Sequence, residues 1–518
     1  MSNTEKRVRG RFAPSPTGPL HIGGVRTALY CYLFCKKHNG DFILRLEDTD
    51  QNRFVQGAED YIKEALRWMG LNPDEGPGIG GSHGPYKQSE RKALYQEQCA
   101  KLIENGTAYY AFDTPAELEE MRENLRKQGN PAPQYNSITR QYMKNSLSLS
   151  ADEVKRRLDA GDPHVVRLKL ERNEEIKFHD EVRGWVTFNS SQLDDKVLMK
   201  GDGMPTYHLA NVIDDKHMEI THVIRGEEWL SSTPTHVMLY RAFGWENDMP
   251  IFAHLPLILK PDGKGKLSKR DGDRLGIPVF PLNWTNPETG EKSSGFKERG
   301  FLPKAMVNWL AFLGWNPGTN QELFEKEDLI KAFSLEQINK SGARFDFKKG
   351  TWFNHQYIKN QSSQSLAEEL EDDFKNRGWT TSVDELAPRI ELMKDRVNFK
   401  NEFVDSCAFF FESPKSWDEK SVRKKWSSEA EDWFSLLING LEKVDFGPDD
   451  LETFTTKFME DHALKMGQVF PLIRLAVMGQ VQGPPVYQMM ALTGKDLVLK
   501  RLRESVPIFH EIKASADA

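Results

Sequence analysis

Two short stretches hold residues suited to handling phosphate. Residues 13–24 read APSPTGPLHIGG and lie between a predicted strand and a predicted helix. A helix N-terminus presents unpaired N–H groups and the positive end of the helix dipole, and both attract anions. Gly23 and Gly24 let a ligand approach the backbone closely, and His21 adds a side-chain donor beside any phosphate bound there. The bland alternative is an ordinary proline-rich turn with an exposed histidine. Residues 263–270, GKGKLSKR, set Lys264, Lys266, Lys269 and Arg270 around a serine on a glycine-rich loop. Such a loop could neutralise charge on a departing pyrophosphate. A solvated basic loop would have the same composition. A third stretch, GPGIGG at 76–81, fits GxGxxG but neither follows a strand nor opens a helix, so it reads as a loop and not a dinucleotide site.

The elements around these stretches read as follows. Val8, Gly10 and Phe12 alternate with Arg9, Arg11 and Ala13 as a short strand. Val25, Ala28, Leu29, Tyr32 and Leu33 recur at helical spacing, and Asn39-Gly40 closes that helix. FILRLED alternates as a second strand, with Ile43, Arg45 and Glu47 on one side. Strand, helix, strand is a βαβ unit and implies a parallel sheet. Residues of about 110–200 are polar and broken by Pro and Gly, and read as an insertion between two halves of the sheet domain. Within them TPAELEEMRENLRKQG predicts a helix with Thr114 and Glu117 as a capping box, and HVVRLKL predicts a strand. THVIRGEEWL and IFAHLPLIL predict further strands. From about 300 onward the signals are helical, in KAMVNWLAFLGW, LEQINK, LAEELEDDFKNRGW and DLVLKRLRES.

The whole chain of 518 residues is long enough for about three to five domains. Its net charge of −7 lacks the basic total that announces a small nucleic-acid module, though a large protein can gather cations on one face. Four cysteines, Cys31, Cys35, Cys99 and Cys407, are too few and scattered for a disulfide framework. There is no signal-peptide pattern and no apolar run of the about 18 residues a membrane span needs. The expectation is a cytoplasmic enzyme with no membrane association, a monomer by default.

HIGG and KLSKR together, in that order and about 245 residues apart, resemble the HIGH and KMSKS signatures of class I aminoacyl-tRNA synthetases, each with a slight departure. RFAPSPTG, RLEDTD at 45–50, DEGPGIGGSHGPYKQSER at 74–91, GMPTYHLANVIDD at 203–215 and VIRGEEWLSSTPTH at 223–236 narrow the resemblance to glutamyl-tRNA synthetases. KMGQVFPLIRLAVMGQVQGPP at 465–485 is similar to the helical anticodon-binding region of the bacterial type. The resemblance covers nearly the whole chain. It implies a Rossmann-like α/β catalytic domain in two halves, 1–109 and 199–260, around an inserted α/β acceptor-end-binding domain at 110–198. A KLSKR loop and helical stem-contact domain at 261–350 and an all-helical anticodon-binding domain at 351–518 would follow.

The same resemblance implies the site. Glutamate would be bound by Arg11, Ala13, Ser15, Glu47, Tyr207, Asn211 and Arg225. An arginine fork suits the side-chain carboxylate, and Glu47 suits the substrate ammonium. ATP would be bound by His21, Gly23, Glu228, Trp229, Lys266 and Lys269, with His21, Lys266 and Lys269 catalytic. ATP would bring Mg²⁺ with it, and no protein metal cage is expected. Zinc is not expected either: some relatives hold it with cysteines after a Tyr-rich start, but here that stretch reads AYYAFDTPAEL. The partners would be L-glutamate, ATP and tRNA-Glu, with adenylate formation resembling a tRNA-dependent step. From the residues alone, an Arg11–Glu47 ion pair is equally open, and a core Tyr207 with its hydroxyl satisfied is the usual case.

Some features stay unassigned. Residues 277–296 read as an extra loop just after KLSKR that could cover the active site or touch the tRNA, and most simply as a surface elaboration. Lys495, Lys500, Arg501 and Arg503 line one helix as either a phosphate-contacting face or a solvated one. Competing readings are weaker. A HIGH-type nucleotidyltransferase acting without tRNA would be a single small domain. A non-catalytic RNA-binding paralogue would have lost Arg11, His21, Glu47, Lys266 or Lys269. The relative that glutamylates a modified tRNA base lacks an anticodon domain, and a glutaminyl-specific enzyme would carry a β-barrel in its place.

Overall fold

The computed structural model describes residues 6–515 and divides into two compact units, Met1–Phe353 and Asn354–Ala518. The first unit opens as the spacing predicts, with strand β1 (Arg9–Phe12), helix α1 (Ile22–Lys37) and strand β2 (Asp41–Leu44). The two strands pair in parallel, from Arg9 opposite Asp41 to Phe12 opposite Leu44. After α1, Asn39 takes a positive φ of 51°, which its short polar side chain tolerates. Cys31 and Cys35 of α1 are buried against Gly10 of β1, where a Cβ would come within 2.7 Å of both sulfurs. They fill the space a glycine leaves, as small core residues do.

Next come α2 (Ala58–Trp68), α3 (Lys92–Glu104), β3 (Ala108–Ala111), α4 (Pro115–Lys127), α5 (Ala151–Asp159) and β4 (Val165–Leu168). The capping box on α4 is present: Glu117 N–H donates to Thr114 Oγ1 at 3.3 Å, and Thr114 N–H to Glu117 Oε2 at 2.9 Å. Then follow β5 (Glu175–Asp180), β6 (Gly184–Asn189), β7 (Val197–Met199), α6 (Tyr207–His217), β8 (His222–Gly226), α7 (Thr233–Ala242) and β9 (Ile251–Leu255). β3, β4 and β7 make an antiparallel sheet of their own. The hairpin β5–β6 does not join it. It extends the large sheet, ordered β2-β1-β8-β9-β5-β6 and parallel except for the β5–β6 pair. The segment 110–198 therefore also supplies two strands to the large sheet. Ile176, Phe178 and Asp180 are buried while Glu175, Lys177 and His179 are exposed, the alternation of a one-sided edge hairpin. β1 lies between β2 and β8, where the winding reverses, so the crevice beyond its carboxyl end is the natural ligand site.

The first unit ends with β10 (Ile258–Leu259), α8 (Lys269–Leu275), β11 (Trp284–Thr285), β12 (Lys292–Ser293), α9 (Pro303–Ala311), α10 (Lys326–Ala332), β13 (Ala343–Arg344) and the start of α11 (Phe347–Asn360). Buried Arg26 and Tyr30 of α1 tie the helix to the carboxyl end of α9 and the residues just beyond it, donating to Leu313 O at 2.7 Å and Ala311 O at 2.9 Å. LEQINK at 335–340 is not the helix its pattern predicts: Ile338 bridges to Trp315, and Asn339 N–H donates to Gly314 O at 2.8 Å. Long-range backbone pairing overrides the local preference there.

The second unit is helical and contains no strand among the described residues, running from the helix Ser363–Asn376 to the last one, Lys495–Ala514. That last helix corrects one reading. Arg501 is neither phosphate-facing nor solvated: it is buried and donates to Phe409 O at 2.5 Å and Val477 O at 2.9 Å. It satisfies backbone carbonyls inside the unit. Among the described residues no helix is long and apolar enough to cross a membrane.

Candidate active site

The turn after β1 meets α1 at His21, the N-cap of the helix. His21 Nδ1 accepts the N–H of Gly23 at 3.1 Å, so the neutral ring carries its proton on Nε2. That Nε2 is buried and has no hydrogen-bond partner among the described residues. Burial, helped by the positive charge of Lys266, lowers the His21 pKa to about 4, so the ring is neutral at pH 7. An orphaned donor at a helix N-terminus is a place for an anionic oxygen. The histidine is thus not the exposed one of an ordinary turn.

Beyond β1 the chain stays close to the extension of β2. Arg45 N–H donates to Phe12 O and Glu47 N–H to Pro14 O, both at 3.0 Å. This sets the loop bearing Ala13 and exposed Ser15 beside Glu47. Underneath lies a buried charge cluster. Arg11 is neither paired with Glu47 nor free: its Nε and one terminal nitrogen donate to Asp215 Oδ1 and Oδ2 at 3.0 and 3.2 Å. Arg45, fully buried, donates to Asp215 at 2.6 Å and to Glu47 at 3.1 Å. Asn211 also donates to Glu47, at 2.8 Å. Arg91 holds Asp214 at 2.7 Å, with Tyr95 at 2.8 Å and Gln88 at 2.9 Å. Burial pushes the Glu47 pKa up, against the pull of Arg45 and Arg11. Burial works the same way on Asp215, but Arg11 and Arg45 prevail and hold it below the usual carboxylate range.

Arg225, at the carboxyl end of β8, is built differently. Its guanidinium donates to Tyr207 Oη at 2.8 Å, Thr233 Oγ1 at 2.9 Å, Trp229 O at 3.3 Å and His254 Nε2 at 3.0 Å. All four acceptors are neutral. Among the described residues no carboxylate forms an ion pair with it, although it is only 5% exposed. Burial lowers its pKa, partly offset by Tyr207. Four guanidinium groups (Arg11, Arg45, Arg91, Arg225) share three carboxylates (Glu47, Asp214, Asp215), and Arg225 is the one left over. A buried cation without a counter-ion is costly unless a ligand supplies one. The Tyr207 hydroxyl accepts from Arg225 and keeps a hydrogen to donate. Trp229, 43% exposed, leans on the Tyr207 ring at 4.7 Å.

The basic loop is anchored at its middle. Leu267 is buried and its N–H donates to Ile258 O at 2.8 Å, while Ser268 caps α8 in a reciprocal pair with Asp271. The flanking lysines are engaged by carboxylates: Lys266 with Glu228 at 2.7 Å, and Lys269 with Glu291 at 2.9 Å. Glu291 lies in the turn between β11 and β12, within residues 277–296. That segment is anchored to α1 and α2. Val279 O accepts from Ile22 N–H at 2.9 Å at the start of α1, and the Phe280 ring meets His21 edge-on at 6.0 Å. Tyr61 of α2 bonds both backbone groups of Leu282, at 2.6 and 3.1 Å, and its ring meets Trp284 at 5.3 Å.

The structure thus links Arg11, Glu47 and Asn211 in one bonded group, Tyr207, Arg225 and Trp229 in a second, and Lys266 and Glu228 in a third. Gly23 adjoins His21. Lys269 is held apart, by Glu291. Sequence reasoning missed Asp215, Arg45, Asp180 and His254. Asp215 carried a readable signal: Tyr207, Asn211 and Asp215 follow at steps of four and share one face of α6.

The profile "tRNA synthetases class I (E and Q), catalytic domain" matches residues 7–352, and "Anticodon binding domain" matches residues 363–506. The chain is 52% identical to the glutamate–tRNA ligase of Cytophaga hutchinsonii over 505 residues, covering 97% of this chain and 98% of the relative. It is 50% identical to that of Phocaeicola vulgatus over 98% of this chain and 99% of the relative. Among solved structures it is similar to a glutamate tRNA ligase from Elizabethkingia meningosepticum in complex with its amino acid. That similarity has a TM-score of 0.93 and 46% identity, over 97% of this chain and 99% of the other.

Proposed function

The chain belongs to the glutamate–tRNA ligases of the class I aminoacyl-tRNA synthetases, and on that premise we propose how its own residues divide the work. It activates L-glutamate with ATP and esterifies it to the 3′ end of tRNA-Glu. Arg225 takes the side-chain carboxylate of glutamate, because of the four guanidinium groups clustered at the crevice it is the one that no described carboxylate pairs. This observation carries the reading. Arg11, whose remaining terminal nitrogen has no partner among the described contacts, shares that anion, and the Tyr207 hydroxyl donates to it. Glu47, steadied by Arg45 and Asn211, takes the ammonium beside Ala13 and Ser15.

In the first step an α-carboxylate oxygen attacks the α-phosphorus of ATP. A new P–O bond forms while the bond to the β-phosphate bridging oxygen breaks, and pyrophosphate leaves with its electron pair. No protein nucleophile is needed, so positioning and charge neutralisation do the catalysis. The His21 Nε2–H and the backbone at Gly23 receive phosphate oxygens, while Glu228 and Trp229 flank the adenosine. Lys266 and Lys269 exchange Glu228 and Glu291 for the β- and γ-phosphates, and Mg²⁺ enters as part of the nucleotide. In the second step a hydroxyl of the terminal ribose attacks the acyl carbon and AMP departs. Residues 110–198 contact the acceptor end and the second unit the anticodon. The protein works as a cytoplasmic monomer.

The test is ATP-dependent attachment of labelled glutamate to tRNA-Glu and tRNA-Gln transcripts, with pyrophosphate exchange measured with and without tRNA. Glutamate on tRNA-Glu supports the reading, and the tRNA-Gln arm sets the breadth of acceptor choice. Exchange with no charging of either tRNA would refute it.

A further inference from the structure

Arg225 is held by a chain of side chains that reaches away from the crevice. Its Nε–H donates to His254 Nε2 at 3.0 Å, and on the far side of that ring His254 Nδ1 lies 2.6 Å from Asp180 Oδ2. Asp180 and His254 are fully buried. Asp180 comes from β5, in the hairpin that extends the large sheet, and His254 from β9, to which β5 is paired. The Asp180 Oδ1 also accepts the N–H groups of Val182 at 3.1 Å and Arg183 at 2.9 Å, closing the β5–β6 turn. A carboxylate only accepts, so Nδ1 must carry the histidine proton and Nε2 must present a lone pair to Arg225. The direction of each bond in the chain is therefore fixed from Asp180 outward.

We propose that Asp180 and His254 are positioning residues for glutamate selection: Asp180 fixes the His254 tautomer, and His254 aims the Arg225 guanidinium at the substrate carboxylate. The proposal rests on the assignment of Arg225 given above. It also explains the neutral shell around Arg225. Neutral histidine, tyrosine and threonine acceptors orient the guanidinium while leaving its charge for the ligand. A carboxylate in the His254 place would orient it equally well and neutralise it. Burial lowers the His254 pKa against the pull of Asp180, which keeps the ring in its accepting form.

Asp180→Asn separates orientation from bulk. The amide has nearly the same shape, but only one oxygen. If that oxygen stays on the Val182 and Arg183 N–H groups, the amide NH₂ faces His254 Nδ1. The tautomer then reverses, and Nε2–H confronts the Arg225 Nε–H, donor against donor. If the amide turns over, the conflict moves to the β5–β6 turn.

The experiment measures KM for glutamate and for ATP by tRNA-dependent pyrophosphate exchange on the full chain, alongside Tm. Variants are Asp180→Asn, Asp180→Asn with His254→Gln, and Arg225→Gln. Asp180→Asn should raise the glutamate KM about 10- to 100-fold, the effect of misdirecting one hydrogen bond to a charged group. The ATP KM should stay within about twofold, since uniform damage would move both. His254→Gln in that background should recover part of the glutamate KM, because its amide oxygen can accept from Arg225 whatever faces it behind. An unchanged glutamate KM in Asp180→Asn, with Arg225→Gln impaired, would overturn the positioning role alone. Equal rises in both KM values, or no recovery in the double variant, would reduce Asp180 and His254 to structural residues and overturn it as well. An unaffected Arg225→Gln would instead overturn the assignment of Arg225 and the proposal with it.

Discussion

Asp215 tests whether the buried cluster is balanced as its geometry implies. Its carboxylate accepts two bonds from Arg11, at 3.0 and 3.2 Å, and one from Arg45 at 2.6 Å, with all three side chains at most 4% exposed. Asp215→Asn removes the charge and one acceptor but keeps the volume. Arg11 would then lose its ion pair, while Arg45 would keep Glu47 and Asp214. Breaking a buried pair from one side costs about 3–5 kcal/mol, because the remaining charge is stranded. The variant should lose stability of that order in urea denaturation followed by fluorescence. Removing the stranded cation as well, in Asp215→Asn with Arg11→Gln, should cost less than the sum of the single changes, by about 1–3 kcal/mol. The pH dependence has a definite sign. The folded Asp215 pKa is depressed, so the stability it contributes is present above the unfolded carboxylate value and lost as pH falls through the folded one. Additive single and double effects, or a destabilisation below about 0.5 kcal/mol, would refute the reasoning.

Lys269→Ala should slow adenylate formation by about 10²- to 10³-fold, as removing one preorganised charge does, with tRNA affinity nearly unchanged; equal loss of both in single-turnover and filter-binding assays would count against the assigned role. Glu291→Gln frees that lysine and should lower the ATP KM by about two- to fivefold, since an exposed ion pair is worth about 0.2–1 kcal/mol; a raised KM would mean that Glu291 assists binding instead of competing with it. His21→Asn keeps a good N-cap but loses the Nε2 donor, so Tm should hold while pyrophosphate exchange falls by about 10- to 100-fold. Between about 4 and the ordinary 6.5, the unfolded chain binds a proton at His21 that the folded chain does not, so stability should rise with pH there. A pH–rate inflection near neutrality that disappears in His21→Asn would contradict a neutral His21.

What was legible in the sequence was local. The βα turn ending in HIGG and the glycine-flanked KLSKR loop announce themselves because few consecutive residues make each feature. The capping box on α4 is readable for the same reason. Tyr207, Asn211 and Asp215 sit at helical spacing, so Asp215 could have been included once the first two were named. The true partners of Arg11 and Glu47 were not legible. Ion pairs are set by which strand lies beside which helix, and Asp215 is 204 positions from Arg11 in the chain. The Asp180–His254 contact spans 74 positions and crosses from a segment that read as an insertion into the large sheet. LEQINK failed as a helix because backbone pairing with the segment around Trp315 outweighs its propensity. The segment at 277–296 looked detachable because its anchors, Tyr61 and the start of α1, lie more than 200 positions earlier.

The account turns on one buried charge, the Arg225 guanidinium left without a carboxylate. The most direct measurement is the ratio of kcat/KM for glutamate over glutamine in the parent and in Arg225→Gln, read by tRNA-dependent pyrophosphate exchange. The account predicts that the ratio collapses by about 10²-fold or more, because a desolvated charged pair is replaced by a neutral contact. A ratio that survives the substitution, with only a uniform drop in activity, would mean that another cation reads the substrate side chain.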